Sequence, residues 1–358
     1  DDNFRLLIRR RQYAWSQGNV AQYKVLRNLV QREASKLRRK YYNRRINALK
    51  HSGPRQWWRE VKKITGQSNQ HPLDTIAGNL YNGDMQLLAN GINTFFHGVS
   101  ADLRPLDLSL VPDACDACPD EFIFEPFQVE RKLAAIDVHK SVGPDEIPNW
   151  ILCTFSRWLA EPICAVFNAS IRQGVVPAAW KCANVVPIPK VNPPAAVETD
   201  LRPISLTSSL CKVLESFIGS WILDEIREKL DRRQFGALKG RSTTHELVDI
   251  IHHWQEALDN HKSVRVVFLD YAKAYDHVDH TVVVTKMHNL GISSILIRWV
   301  CAFLQDRKQR VKLSEVFSSW LYLKGSMPQG SWLGPLTFLM LINDLNASCM
   351  MHKFVDDT

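Results

Sequence analysis

Residues 264–279, VRVVFLDYAKAYDHVD, limit what the chain can fold into more than any other stretch of its 358 residues. Val264, Val266, Val267, Phe268 and Leu269 make the short apolar, β-branched run of a strand covered on both faces. Asp270 ends that run and is followed at once by the helix-favouring Ala272, Lys273 and Ala274. The carboxylate is therefore expected at a strand end, where a rigid element meets solvent and a metal ligand is well placed. One carboxylate holds Mg²⁺ poorly, so a second source of acid is required.

Lys353-Phe354-Val355-Asp356-Asp357 supplies it, with two adjacent acids at the end of another short apolar segment. Consecutive strand side chains point to opposite faces, so both acids serve one site only in a tight turn, such as a β-hairpin tip. Asp270, Asp356 and Asp357 together suit phosphoryl transfer to a nucleic-acid 3′-hydroxyl. That chemistry uses two divalent ions roughly 3.5–4 Å apart. Taken singly, each acid reads as well as a solvated turn residue or a helix cap.

LDYAKAYDHV, MPQGSWLGPLTF and FVDD occur in the order of a reverse transcriptase, and the chain most resembles the polymerase of non-LTR, LINE-type retrotransposons. KSVGPDEIPNW at 140–150, WKCANVVPIPK at 180–190 and DLRPISLTSSLCKVLE at 200–215 extend the resemblance over most of the chain after about residue 120. It implies an α+β fold with right-hand polymerase fingers and a partial palm, preceded by a basic helical arm, with the thumb absent. The expected divisions are a basic helical arm and linker at 1–70, a partly irregular connecting region at 71–120, fingers at 121–262 and a C-terminally truncated partial palm at 263–358. It further implies RNA-templated DNA synthesis from dNTPs on a DNA primer or target, with Asp270, Asp356 and Asp357 holding two Mg²⁺ ions, or Mn²⁺ in their place.

Other roles follow from the residues and the resemblance together. Lys190 and Arg202 flank Val191 to Asp200, the expected tip of a hairpin, from which an Arg fork and a Lys point charge reach a triphosphate. Tyr275 is expected on a helix returning toward the site, crowding the 2′ position of the nucleotide and so favouring dNTP over NTP. Asp276 and Asp279 are expected to orient or cap. Gln329 and Gly330, in the turn GSMPQGSWLGP, are expected to approach the nascent base pair, and Trp332 replaces the family's usual small aliphatic residue. Lys239, Gly240 and Arg241 offer a backbone amide and cations to the template phosphates. His245, His252 and His253 read as ordinary polar-face residues of the next helix.

Composition adds the partners. Residues 1–50 carry fourteen Lys and Arg against three acids, whereas the whole chain has a net charge of only +8, so the basic character belongs to one segment. Arg38, Arg39, Lys40, Arg44 and Arg45 alternate there with Tyr41 and Tyr42, while Leu26, Leu29, Val30 and Leu37 recur near helical spacing. Amphipathic helices that bind RNA through phosphates and base stacking are expected. A solvated helix whose Leu stripe packs on the body remains the alternative. The eight cysteines show only Cys115 and Cys118 in close spacing, which completes no zinc site, and they read as reduced thiols.

Trp180 to Pro189 reads as a strand kept near a sheet edge by its prolines, and Ile147 to Phe167 as one buried helix. Ile204 to Ile226 reads as a core helix with Lys212, Glu215 and Ser216 on its wet face. No apolar run reaches the ~20 residues of a membrane span. An intracellular protein of nucleus and cytoplasmic ribonucleoprotein is expected, as part of a larger polyprotein, with this piece weakly active or inactive. The rival readings are a non-catalytic RNA-binding remnant and an RNA-dependent RNA polymerase.

Overall fold

Two units divide the chain, Asp1–His71 and Pro72–Thr358. The structure is a computed structural model that describes residues 2–49, 57–58, 61–62, 73–113 and 118–357. In the first unit α1 (Asp2–Ser16) and α2 (Val20–Leu49) pack side by side. They are joined at Gly18, whose φ of +67° is backbone that glycine adopts without strain. The Asn19 side chain accepts from the Gln22 amide at 3.0 Å and so caps α2. Ala14 and Val30 are buried, and the Trp15 ring lies 4.8 Å from Tyr23. Residues 63–72, which include the end of the expected arm and linker, and residue Cys115 lie outside the described residues.

In the second unit, residues 74–98, expected within a connecting region, form α3 (Asp74–Leu80) and α4 (Met85–Gly98). Leu73, Ile76, Leu88 and Ile92 from this pair are buried against Val185 and Val311 of the sheet described below. Next come α5 (Pro126–Ala134), α6 (Asn149–Thr154) and α7 (Ser156–Gln173). The single buried helix expected over 147–167 is thus broken at Phe155, and Trp150 and Trp158 are exposed. Apart from short helical turns, such as Val197–Asp200, the remaining elements are β1 (Cys182–Pro189), β2 (Leu201–Leu206), α8 (Ser209–Ile226), α9 (Thr243–Asp259), α10 (His280–Asn289), α11 (Ser294–Leu304), β3 (Lys308–Leu313), β4 (Val316–Phe317), β5 (Leu321–Tyr322) and α12 (Leu333–Ile342). The mixture of helix and sheet is that of an α+β protein.

β1 is not an edge strand. It pairs antiparallel with β2 and parallel with β3, whose far side takes β4 and β5. The prolines fit because the parallel pairing covers only Cys182 to Val185, so Pro187 and Pro189 lie where β3 no longer needs an amide. The main core joins α8, α11 and α12 through Ile218, Ile222, Trp299, Phe303, Leu336 and Met340. Glu215 and Ser216 are buried rather than wet. The Glu215 carboxylate accepts from the Trp332 amide at 2.8 Å, the Leu333 amide at 3.2 Å and the Ser331 hydroxyl at 2.5 Å. A carboxylate at that helix start satisfies otherwise unpaired donors, and α12 begins at Leu333.

Two expectations around Asp270 fail. Val264 to Leu269 has no strand pairing among the described residues, and Val267 and Phe268 are 76% and 81% exposed. Apolar, β-branched composition favours a pleated buried surface but supplies no neighbour, and here the sheet is built from β1 to β5 without this run. Ala272 to His277 is a series of turns, not a helix, with Lys273 at φ +54°. The helix starts only at His280, where the Asp279 carboxylate accepts from the Thr281 and Val282 amides at 2.8 and 3.1 Å.

Trp332, the residue that departs from the family pattern, lies against Gly219 of α8, where a Cβ would come within 1.8 Å of its ring. Gly219→Ala should therefore cost about 1–3 kcal/mol in denaturant unfolding. In a Trp332→Leu background the added cost should fall within about 0.5 kcal/mol of zero, and an undiminished cost would show that the ring does not set the requirement.

Candidate active site

The acidic turn is seated on residues 231–236. The Lys353 amide donates to the Arg233 carbonyl at 2.9 Å and the Phe235 amide donates to the Lys353 carbonyl at 2.8 Å. Lys353 is fully buried, with its Nζ 2.7 Å from Asp231 Oδ2 and 3.1 Å from the Asn343 carbonyl. Burial pushes the Asp231 carboxyl up, but the Lys353 ammonium and the Arg233 amide outweigh it and hold the group below the usual carboxylate range. Buried Gln234 turns its Oε1 to two amides, Gly236 at 2.9 Å and Val355 at 3.2 Å. A Cβ on Gly236 would stand 2.6 Å from the Val355 nitrogen, so only glycine lets the two backbones meet.

On this seat Phe354 to Asp357 closes a two-residue turn. The Phe354 amide donates to the Asp357 carbonyl at 2.8 Å, the return bond is 3.2 Å, and Val355 takes φ +59°. A β-branched residue in left-handed backbone is strained, and its neighbours hold it there. Asp356 occupies the tip, and Asp357 begins the return and bridges antiparallel to Asp270. Burial raises the Asp357 carboxyl first, and the negative charges of Asp356 and Asp270 raise it further. All three carboxylates thus lie in one electrostatic neighbourhood, with oxygen donors of the kind hard divalent cations take. Their oxygens are not drawn together as a ligand cage. Among the described residues, the group of potential metal ligands within 4.8 Å of one another is Asp249, His253 and His352.

Tyr275 is half-buried with its ring 5.9 Å from Phe338. Burial raises its hydroxyl, and the charge of Asp356 adds to the rise, so the phenol lies within electrostatic reach of the acidic turn. Gln329 is turned toward Asp276, whose two carboxylate oxygens accept from its Nε2 at 3.2 and 3.4 Å. Burial raises the Asp276 carboxyl, opposed by Gln329 and by Lys273, His277 and Lys190. Gly330 has φ +124°, and a Cβ there would meet the Ser205 carbonyl of β2 at 2.8 Å. With the Ser205 amide donating to the Gln329 carbonyl at 2.8 Å, the glycine admits a strand at this point.

Lys190 and Arg202 are exposed on the β1–β2 hairpin, with the Lys190 amide donating to the Asp200 carbonyl at 2.7 Å. Lys239 and Gly240 are exposed as well. Arg241 uses Nη1 on the Arg232 carbonyl at 2.7 Å and on the Gln234 carbonyl, so it braces the seat of the turn. Arg38, Arg39, Lys40 and Arg44 are exposed on α2, which also includes Arg45. The role of Asp231, Gln234, Gly236 and Lys353 in supporting the turn is not evident from the sequence alone. The lysine directly before FVDD and the glycine of QFG are the available signals.

The part of the chain that carries the hairpin, the Tyr275 turns and the acidic turn defines its class. Residues 188–358 match the family described as reverse transcriptase (RNA-dependent DNA polymerase), and the chain carries a reverse-transcriptase domain of the non-LTR retrotransposon kind. It is 30% identical over 233 residues to a probable RNA-directed DNA polymerase from transposon BS of Drosophila melanogaster, covering 64% of this chain and 26% of that protein. Against the RNA-directed DNA polymerase from mobile element jockey of the same fly it is 26% identical over 302 residues, 80% of this chain and 32% of the relative. The chain therefore spans between a quarter and a third of these relatives' lengths. Reverse transcriptases as a family generally use divalent metal ions.

Asp231→Asn should destabilise the second unit by about 3–5 kcal/mol, because it strands a buried ammonium. Adding Lys353→Met should recover most of that loss. The Asp231 carboxyl is depressed in the fold, so its contribution is full above the ordinary carboxylate range and fades as pH falls through the depressed value. The gap between parent and Asp231→Asn in thermal unfolding should narrow below about pH 4, and a constant gap would disprove the pairing.

Proposed function

We propose that the chain performs RNA-directed DNA synthesis, transferring nucleotides from dNTPs to the 3′-hydroxyl of a DNA primer on an RNA template. The observation that carries this reading is the meeting of Asp270 with the Asp356–Asp357 turn. Asp270, Asp356 and Asp357 would hold two Mg²⁺ ions, or Mn²⁺. When bound, such ions favour the deprotonated attacking oxygen and the departing pyrophosphate. Asp270 and Asp356 would be the main holders of these ions and Asp357 would assist.

The chain's other residues bind and sort the substrates. Residues 121–262 act as fingers and 263–358 as a partial palm. Lys190 and Arg202 on the exposed hairpin grip the triphosphate, where a guanidinium fork and an ammonium favour the charge that builds on transfer. Tyr275, with its phenol within electrostatic reach of Asp356, excludes a 2′-hydroxyl by bulk. Gln329, tied to Asp276, borders the nascent base pair together with Gly330. Lys239, Gly240 and the remaining guanidinium nitrogens of Arg241 meet template phosphate. The basic residues of α2, Arg38, Arg39, Lys40, Arg44 and Arg45, retain RNA. The parent is a larger polyprotein working in nuclear and cytoplasmic ribonucleoprotein. Among the described residues, no helix is long and apolar enough to cross a membrane.

The openness of residues 264–269 and the separation of the three carboxylates favour a second reading, an RNA-binding element without synthesis. Primer extension on an RNA template separates the two. Asp356→Ala should lower dNTP incorporation by roughly 10³-fold, the loss of several kcal/mol of charge stabilisation, while RNA binding stays as in the parent. Tyr275→Val should raise NTP use relative to dNTP. Extension unaffected by Asp356→Ala would exclude the proposed centre, and RNA retention without any extension by the parent would favour the second reading.

A further inference from the structure

Asp249, His253 and His352 form a cluster that the synthesis reaction does not use. Asp249 and His253 stand four residues apart on α9 and so share its polar face. His352 arrives from a different part of the chain, directly before the buried Lys353. Its Nε2 lies 2.7 Å from Asp249 Oδ2, and His253 Nδ1 lies 3.8 Å from the same oxygen. One ligand atom from each residue falls within 4.8 Å of the other two, and all three residues are partly shielded from solvent.

We propose that these residues bind a first-row transition-metal ion of the Zn²⁺ class, forming a clasp between α9 and the segment that leads into the acidic turn. Two imidazoles and one carboxylate select such an ion over Mg²⁺, which prefers oxygen alone. The spacing supports the assignment. Ligands at about 2.0–2.2 Å from a tetrahedral ion stand roughly 3.3–3.6 Å from one another. The His352–Asp249 separation of 2.7 Å lies just below that range and one ligand atom of each residue falls within 4.8 Å of the other two, so small side-chain rotations admit the ion. Metal binding replaces the proton that joins His352 to Asp249, and that proton leaves to solvent.

The surroundings suit a ligand set. His253 Nδ1 donates to the Asp249 carbonyl at 2.7 Å, which orients its ring and leaves a lone pair on Nε2. His352 stacks on Phe235 with ring centroids 5.9 Å apart, and His253 meets it edge-on at 6.3 Å. Both rings are held before any ion arrives. Glu246, one turn before Asp249 on the same helix, is half-buried and lies within electrostatic reach of His352. The clasp would fix α9 to the segment that Lys353 already binds to residues 231–235 from the other side.

The test titrates the metal-free 358-residue chain with Co²⁺ and follows the visible absorption of a cobalt–imidazole site, with Zn²⁺ as competitor. One equivalent should bind and be displaced by Zn²⁺. His253→Ala should weaken binding by more than roughly 100-fold. His352→Gln, which keeps a donor for Asp249 and so preserves the hydrogen bond, should do the same without lowering the metal-free melting temperature. Asp356→Asn should leave the signal intact, which separates this site from the carboxylate centre. Zn²⁺ should raise the melting temperature of the parent and not of His352→Gln. Absence of a stoichiometric band, or equal bands in the parent and both histidine variants, would overturn the proposal and leave the cluster a hydrogen-bonded contact.

Discussion

The ion pair between buried Lys353 and Asp231 is the interaction on which the acidic turn depends. A fully buried ammonium is tolerated only with a partner and further acceptors, and here a carboxylate and the Asn343 carbonyl provide them. Asn343 is itself tied in, accepting from the Asp231 amide at 2.9 Å and donating to the Lys229 carbonyl at 3.0 Å. The pair therefore sets where the backbone of residue 353 runs. Three residues later that backbone must place Asp356 at a tip with Val355 in left-handed conformation. Without a fixed approach, the strained residue would relax and the acids would part.

The same arrangement explains how like charges are kept together. Burial raises the Asp357 carboxyl, and the like charges of Asp356 and Asp270 raise it further. What holds them is main chain: the paired amide and carbonyl of Phe354 and Asp357, the Gln234 side chain on the Val355 amide, and the glycine that lets residue 236 touch residue 355. Neutral backbone bonds do not weaken as carboxylates ionise. A site that must gather negative charge before a cation arrives is better built this way than on ion pairs, which would compete with the cation for the same oxygens.

Much of this was legible in the sequence where a local rule governs. The DD pair demanded a tight turn, and the turn is there; Asp279 read as a cap, and it caps α10. Readings failed where the answer lay in a distant segment. Glu215 looked wet because a single sequence does not reveal that the amides of Trp332 and Leu333 need an acceptor. β1 looked like an edge because proline density was read without knowing that its parallel neighbour stops at Val185. Each miss is a contact of long sequence separation, which periodicity does not encode.

Residues 264–269 show the same limit from the other side. The run carries the composition of a buried strand, yet its backbone is unpaired among the described residues and its side chains face solvent. Leu247, Val248 and Ile251 of α9 are also exposed. Apolar area left in water forgoes roughly 25 cal/mol per Å² of stabilisation, so the stretch that carries Asp270 is the least supported part of the site. Asp356 and Asp357 are held from behind by buried bonds, whereas Asp270 is held by a single bridge to Asp357. The distance between the first acid and the other two is then set chiefly by the order of residues 264–269. The turn is the fixed half of the centre, and Asp270 is the half whose position the rest of the fold still has to restrain.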